Sequence, residues 1–576
     1  MPLSKRVFAQ ANLWIRPNLW DGFALVLVAA IIVLCAYGSA KMSLPFHLGQ
    51  PIKIDLAPQN LPFYALETVL RMFMALLLSF AFTLTIGTLA AKSERAGKIL
   101  IPIIDILQSV PILGYLSVVI GPLILLFPDS LIGPECAVII AVFTSQVWNM
   151  VLSFYQSLRT VPEELVEATK MYHLNSWQRF WRLEVPFAIP GLLWNTMLSM
   201  SGSWFFVVAS ESISVANQSI MLPGVGSYIA EALLQQNWLA IFYAIITMLI
   251  VILLYDQLMF RPLVAWSQKF RLTDMPDDEH ESWLLNLLQR TELMVAIGNK
   301  IKQAWFAFTQ LNFLAHATPR HKLYDERPER IKSMLWYGVA FLLIATLLYY
   351  LIGFIYHHVS WDTVGYVFML GSFTALRVFI LILLCSLICI PVGVYVGLRP
   401  KLARIVQPIA QFLAAFPANL FFPVFVYLIL TYKLNVEIWC APLMILGTQW
   451  YILFNVIAVA MTIPKELRLA VETMHLRGWL KWQRFLFPAI FPYYLTGAIT
   501  ATGNSWNTSI VAEIVTWGHT TLKAHGLGAY ITQSTNLGNF PEVALGIVVM
   551  CIWVTTINLL FWRRLYRFAE ERFSFR

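Results

Sequence analysis

Twelve apolar runs, most close to the roughly 20 residues a helix needs to cross hydrocarbon, dominate this chain. They lie at about Gly22–Gly38, Tyr64–Leu89, Ile99–Leu126, Val138–Phe154, Pro186–Ala209, Leu239–Met259, Met334–Ile355, Tyr366–Val396, Ile405–Leu430, Ile438–Ala460, Pro488–Val511 and Val543–Phe561. Hydrocarbon offers no partner for backbone N–H and C=O groups, so runs of this length must satisfy themselves as helices. With 12% of its 576 residues charged, the chain could not cover a soluble surface of that size. An all-α polytopic membrane protein in the lipid bilayer is expected.

The chain also repeats itself. Pro162/Pro464, His173/His475, Trp177/Trp479, Arg182/Arg484, Pro186/Pro488, Trp204/Trp506 and Glu211/Glu513 share one offset, 464−162 = 302. Upstream, Thr68-x-Leu70-Arg71 matches Thr374-x-Leu376-Arg377, and Gly87/Gly393, Pro102/Pro408 and Pro111/Pro417 keep the same offset, 374−68 = 306. Six spans per half is an even number, so both halves enter the membrane in the same sense and form a parallel repeat. The expected division is residues 1–260, a linker at 261–333, and 334–576. Within the linker, Trp283-Leu284-Leu285, Leu287-Leu288 and Leu293-Met294 recur at helical spacing beside an acidic patch (Asp274, Asp277, Asp278, Glu279, Glu281), which predicts an amphipathic helix on the bilayer or on the protein.

Charge sets the sidedness. Lys92, Arg95, Lys98, Lys170, Arg179, Arg182, Arg399, Lys401, Arg404, Lys465, Arg468, Arg477, Lys481, Arg484 and five arginines of the tail fall on one side, against Lys41, Lys53, Lys433 and Lys523 on the other. The rule that basic loops stay inside puts both termini, the linker and the polar segments after the fourth and tenth spans in the cytoplasm. The net charge of +9 thus reflects topology, not nucleic-acid binding. The six cysteines sit in or beside apolar runs as small buried residues, with no disulfide framework or metal spacing. No cleavable signal peptide is expected ahead of the first run.

The two polar segments are islands of charge between apolar runs, Thr160–Glu211 and Thr462–Glu513 including the spans they lead into. In the first, Pro162 suits a first helical turn and Glu163 and Glu164 favour a helix N-terminus. A turn near Asn175-Ser176, or Arg477-Gly478, precedes a second amphipathic helix starting at Trp177 or Trp479. A duplicated pair of short cytoplasmic helices suits docking of two identical partners; merely capping the bundle is the alternative.

The islands resemble the EAA loop of ABC-importer permeases, whose pattern is E-A-A, three residues, Gly, nine residues and I-x-L-P. Here it reads Glu167-Ala168-Thr169, His173 and Leu183-x-Val185-Pro186, then Leu469-Ala470-Val471, His475 and Phe485-x-Phe487-Pro488. Both copies carry histidine at the glycine, and the second lacks the first glutamate. Each half is similar to the permease unit of type I importers, nearest the nitrate, sulfonate, taurine and bicarbonate class, and the chain to a fused, duplicated permease of an inner membrane. That resemblance implies two coupling helices, one with Glu164, Glu167, Ala168, His173 and Leu174, the other with Glu466, Ala470, His475 and Leu476. It implies two copies of a cytoplasmic ABC ATPase as partners, and a periplasmic or lipid-anchored substrate-binding protein. The chain carries no G-x-x-x-x-G-K-[ST] phosphate loop, catalytic triad or metal cluster. No enzymatic activity, cofactor or metal of its own is expected.

The spans after the islands are polar at matched positions. Asn195, Ser199, Ser203 and Trp204 in one, and Thr500, Asn504, Ser505 and Trp506 in the other, could line a solute pathway or join helices by hydrogen bonds. Glu211 and Glu513 follow the island prolines by 25 residues, which at about 1.5 Å each carries them to the outer face and suits contacts with a binding protein or gate. Arg71 and Arg377 could attract an anion, pair with a carboxylate or snorkel. A secondary transporter of two six-helix halves is the rival, but it predicts more ionisable residues at mid-membrane and leaves the islands without a role. A membrane enzyme would show clustered His, Asp or Cys, and none is visible.

Overall fold

A computed structural model describes residues 19–42, 52–108, 112–128, 130–215, 218–270, 282–310, 326–463, 465–517 and 520–573. Seven of its helices are long and apolar enough to cross a membrane: Pro58–Lys92, Ile132–Arg159, Ser176–Glu211, Trp238–Phe270, Trp361–Gly397, Gly478–Ala512 and Phe540–Ala569. Two bent pairs raise the number to nine among the described residues, below the twelve expected.

The shortfall has local causes. The expected Ile405–Leu430 span is Lys401–Ala415 and Ala418–Thr431, bent by 79°. Phe416 precedes Pro417 and is forced into an extended conformation (ψ 127°), which ends the first helix. Ile438–Ala460 is Val436–Leu446 and Gln449–Met461, bent by 44°. Ile99–Leu126 is likewise two helices, Glu94–Leu107 and Ile112–Leu126. The first and seventh expected spans fall in helices Leu19–Met42 and Glu326–His358, whose described apolar stretches are the shorter Val28–Met42 and Ile344–His358.

The chain packs into two compact units. One holds Met1–Lys41, Leu152–Met197 and Leu253–Tyr324; the other holds Met42–Val151, Leu198–Ile252 and Asp325–Arg576. The second contains the main core, with Ile452, Val456, Ile490, Leu495, Ala498 and Leu527 fully buried. Here Gly393 and Gly397 let helix Trp361–Gly397 lie against Gln449–Thr462: a Cβ at Gly397 would stand 2.6 Å from the Ala460 Cβ. Small residues four apart allow this backbone approach where lipid supplies no hydrophobic drive. Parts of both halves meet within this unit, as where the Ile112 amide donates to Asn507 Oδ1 at 2.8 Å.

Two features depart from an all-helical bundle of separate spans. Each post-island span is followed by a short antiparallel hairpin, Ser212–Val215 with Gln218–Met221 and Ile514–Trp517 with Thr520–Lys523, again 302 apart. And the second island helix is not separate: Ser176–Glu211 is one run of 36 residues, and Gly478–Ala512 one of 35. A π-helical turn, Phe180–Glu184 or Trp482–Leu486, joins the two parts. Pro186 and Pro488 lack an N–H and would clash with the carbonyl four residues back, and the wider turn lets the helix pass them.

The linker contains helices Trp283–Arg290 and Glu292–Thr309. Ser282 caps the first by accepting from the Leu285 amide at 3.3 Å, and Leu284 and Leu287 are buried. The acidic patch at 274–281 lies outside the described residues.

Candidate functional site

The first island begins with a nine-residue helix, Glu163–Met171, with Pro162 at its N-cap, Glu163 and Glu164 in its first turn and Lys170 in its last. These charges oppose the helix dipole at both ends. It closes by a definite motif. The His173 amide donates to Lys170 O at 3.0 Å and the Leu174 amide to Thr169 O at 3.0 Å, with His173 left-handed at φ 52°. This is the paired-bond helix ending in which glycine is preferred, because a Cβ is strained there.

The second island repeats the ending. His475 donates to Glu472 O at 3.0 Å and Leu476 to Val471 O at 3.2 Å, with His475 at φ 53°. The histidines therefore occupy the conformation that the pattern's glycine would serve, at a cost of about 1–2 kcal/mol each. The turn is kept, and the departure from the pattern is one of side chain alone. Beyond it, Asn175 caps helix Ser176–Glu211 reciprocally with Gln178, accepting from its amide at 2.7 Å. The second copy lacks a side-chain cap at Arg477.

Glu164, Glu167 and His173 are exposed, and Ala168 and Leu174 half-buried; Glu466, Ala470 and His475 are exposed and Leu476 half-buried. Large apolar side chains stand out beside them: Met171 and Tyr172 are each 80% exposed, Met474 71% and Trp479 79%. A polar helix with acidic residues and such projecting side chains is chemically suited to fill a groove in another protein.

The second construction is buried and also duplicated. Arg71 lies at 0% exposure. Its Nε and Nη2 donate to the two oxygens of Glu135 at 2.6 Å each, and Nη1 to Glu211 Oε1 at 2.7 Å. Glu67 lies one helical turn away, 3.8 Å from Nη2. Thr68 Oγ1 also donates to Glu211 Oε1, at 2.7 Å, and the Gly226 amide to Oε2, at 2.7 Å. In the second half Arg377 Nη1 donates to Glu513 at 2.9 Å, and its Nη2 pairs with Glu437. Thr374 and the Gly528 amide complete the Glu513 carboxylate at 2.8 Å each. His525 Nδ1 meets Glu437 at 2.5 Å, a contact without counterpart in the first half, where Pro223 holds that place.

Glu211 and Glu513, expected to contact a binding protein or a gate, are instead buried, at 0% and 1%, with their carboxylates bonded within the chain. The chain folds back through each hairpin, and the Leu222 and Ala524 amides donate to the carbonyls of Glu211 and Glu513 at 3.0 and 2.9 Å. Of the options for Arg71 and Arg377, pairing with a carboxylate is the one realised. Glu135 and Glu437 escaped the sequence reading, although they too are 302 apart. A bidentate guanidinium–carboxylate pair with every carboxylate oxygen of Glu211 satisfied is the form in which buried charge is tolerated.

The polar residues of the post-island spans are drawn into helix contacts. Asn195 donates to Ser153 Oγ at 2.9 Å, Ser203 meets Ser145 at 2.7 Å, and Ser505 donates to Thr448 Oγ1 at 3.2 Å. Thr500 and Asn504 bond back to Thr496 O and Thr500 O, at 3.0 and 3.1 Å. Trp204 and Trp506 are buried. Ser199 Oγ and Trp506 Nε1 alone among these eight are buried polar atoms with no partner among the described residues. No group of three or more His, Cys, Asp or Glu suited to a metal occurs among the described residues.

The profile of the binding-protein-dependent transport system inner membrane component matches this chain twice, at residues 83–259 and 389–574, together more than half of it. The trimethylamine N-oxide transport system permease protein of Pelagibacter ubique (strain HTCC1062) is 31% identical over 261 residues, covering 44% of this chain and 33% of that protein. The glycine betaine/proline betaine transport system permease protein ProW of Escherichia coli (strain K12) is 26% identical over 163 residues, 28% of this chain and 44% of its own. The nitrate import permease protein NrtB of Leptolyngbya laminosa is 24% identical over 212 residues, 35% of this chain and 72% of its own. The chain thus spans a third to under half the length of the first two relatives.

Proposed function

The chain belongs to the family of inner membrane components of binding-protein-dependent transport systems, and on that premise we propose that it is the permease of an ATP-driven importer, supplying both halves of one translocation pathway. Residues 1–260 and 334–576 form the two permease units, joined by a cytoplasmic linker at 261–333. Two cytoplasmic ATPases dock on the islands, and a binding protein delivers solute from outside; both termini lie in the cytoplasm of a cell with the chain in its inner membrane.

The observation that carries this reading is the duplicated island: two helices of nine residues, the same left-handed ending, and exposed acidic and apolar side chains around it. Glu164, Glu167, Ala168, His173 and Leu174, with Glu466, Ala470, His475 and Leu476, are the coupling residues. Closure of the ATPases moves both helices, and because the second helix of each island, which follows the turn, runs unbroken into a span, displacement passes through that turn into the membrane. Asn195, Ser199, Ser203 and Trp204, with Thr500, Asn504, Ser505 and Trp506, border the pathway when the helices part; Ser199 Oγ and Trp506 Nε1, buried here without a partner among the described residues, are then free to meet solute.

For the solute we propose a small anion of the nitrate, sulfonate, taurine or bicarbonate class. The higher identity to the trimethylamine N-oxide permease favours a second reading, a zwitterionic methylamine. Uptake of labelled nitrate, bicarbonate, taurine and trimethylamine N-oxide separates the two. The docking is tested by Tyr172→Asp and Met474→Asp. Truncating a central apolar anchor costs about 2 kcal/mol or more, so each variant is expected to lose most ATPase co-purification and uptake. Unchanged association and uptake in both would refute the reading.

A further inference from the structure

We propose that the linker helix Glu292–Thr309 is a brace on the first island, making the two coupling segments unequal in stiffness; the coupling role itself rests on the reading above. The helix and the first island lie in the same compact unit. Trp177 Nε1 donates to the Phe308 carbonyl at 3.1 Å. That carbonyl is in the last turn of the linker helix, where carbonyls lack partners within the helix. The Trp177 ring lies edge-on to Phe308 at 5.2 Å, and Trp181 to Trp305 at 5.0 Å and Phe308 at 5.6 Å. The Arg182 guanidinium lies 4.7 Å from the Phe306 ring centre, and its Nε and Nη2 donate to Thr309 Oγ1 at 3.4 Å. A cation there also complements the C-terminal end of the helix dipole. Three residues of the island helix therefore cap and grip the end of the linker helix.

The second island lacks the matching set of side chains. At the shifted positions stand Trp479, Gln483 and Arg484, so the central aromatic Trp181 is replaced by an amide. Trp479 is 79% exposed, and Gln483 and Arg484 are exposed as well. Trp177, Trp181 and Arg182 are all half-buried. The gripped residues follow directly on the turn at His173 and Leu174, so holding them restrains the coupling helix from its C-terminal side. The first segment is the stiffer of the two, and the second, though folded, opens more readily.

Amide hydrogen exchange of the full chain in nanodiscs, without ATPase, tests this. In the unaltered protein, residues 163–182 are expected to exchange about tenfold more slowly than residues 465–484. Trp305→Ala with Phe308→Ala should bring the first segment to the rate of the second and leave the second unchanged. Trp177→Phe removes the indole donor alone and should raise exchange in the first segment only, by about threefold; it keeps the test valid if the double variant does not fold. Equal exchange of the two segments in the unaltered protein overturns the brace, as does an equal rise in both on substitution or no rise in the first. The readout involves no ATPase, so a failure of the docking variants would sink the coupling reading and leave the brace standing.

Discussion

Removing Arg71 is the sharpest perturbation available. In Arg71→Met, the side chain keeps much of its volume but loses three short hydrogen bonds, two to Glu135 at 2.6 Å and one to Glu211 at 2.7 Å. Glu135 and Glu211 are 3% and 0% exposed, so water cannot replace the guanidinium. Breaking a buried pair from one side costs about 3–5 kcal/mol, because the abandoned charges remain desolvated. Adding Glu135→Gln and Glu211→Gln removes those charges and should recover most of the loss, since a neutral replacement of a buried ionic group is often nearly neutral. Two comparisons calibrate the result. The Lys98–Glu94 pair is as short, 2.7 Å, but 61% and 83% exposed, so Lys98→Met should cost no more than about 0.5 kcal/mol. Arg377 and Glu437 are 11% and 37% exposed, so Arg377→Met should fall between the two. The assay is unfolding of the reconstituted chain by increasing SDS, followed by tryptophan fluorescence and by pulse proteolysis. If Arg71→Met costs no more than Lys98→Met, or if Glu211→Gln lowers its stability further, the charge-compensation account is wrong.

Other outcomes follow from the same geometry. Gly224 and Gly526 leave no room for a Cβ, which would fall on the Glu211 and Glu513 carboxylates; alanine at either should displace the buried carboxylate and sharply reduce folded yield by size-exclusion chromatography. His173→Val and His475→Val place a β-branched residue at φ 52° and 53° and should destabilise the turns by more than about 1 kcal/mol, whereas glycine should be tolerated; exchange of the Leu174 and Leu476 amides reports both. Asn175→Ala removes a reciprocal cap and should cost about 1 kcal/mol, read as faster exchange at the Gln178 amide.

Much of this protein is legible in its sequence. Length and apolarity of the runs announce helices in a bilayer, because hydrocarbon permits little else. Polar residues place an island turn near Asn175-Ser176 and Arg477-Gly478; it falls about two residues earlier, at His173-Leu174 and His475-Leu476, and Ser176 and Gly478 already begin the next helices. The breaks within the third, ninth and tenth spans were harder to see. Pro417 marks one bend, but proline also sits inside intact helices at Pro190 and Pro391, so its presence alone does not decide the outcome. The continuity of island and span was missed because Pro186 and Pro488 read as helix starts, and only the π-helical turn shows how the chain passes them.

The charged residues divide the two kinds of knowledge most clearly. The sequence by itself determined that Arg71, Glu211, Arg377 and Glu513 are duplicated, and that charge inside apolar runs must be neutralised. It could not name the partners, because Arg71 and Glu211 are 140 positions apart and Arg71 and Glu135 are 64 apart. Counting residues from the island prolines carries Glu211 to an outer face; Thr68, Arg71 and the Gly226 amide enclose its carboxylate instead. Nor could two sequences so alike reveal that Trp177, Trp181 and Arg182 pack on the linker helix while Trp479, Gln483 and Arg484 are exposed. Repetition is inherited along the chain, but burial is decided by whatever elements happen to pack alongside, and those differ between the two copies.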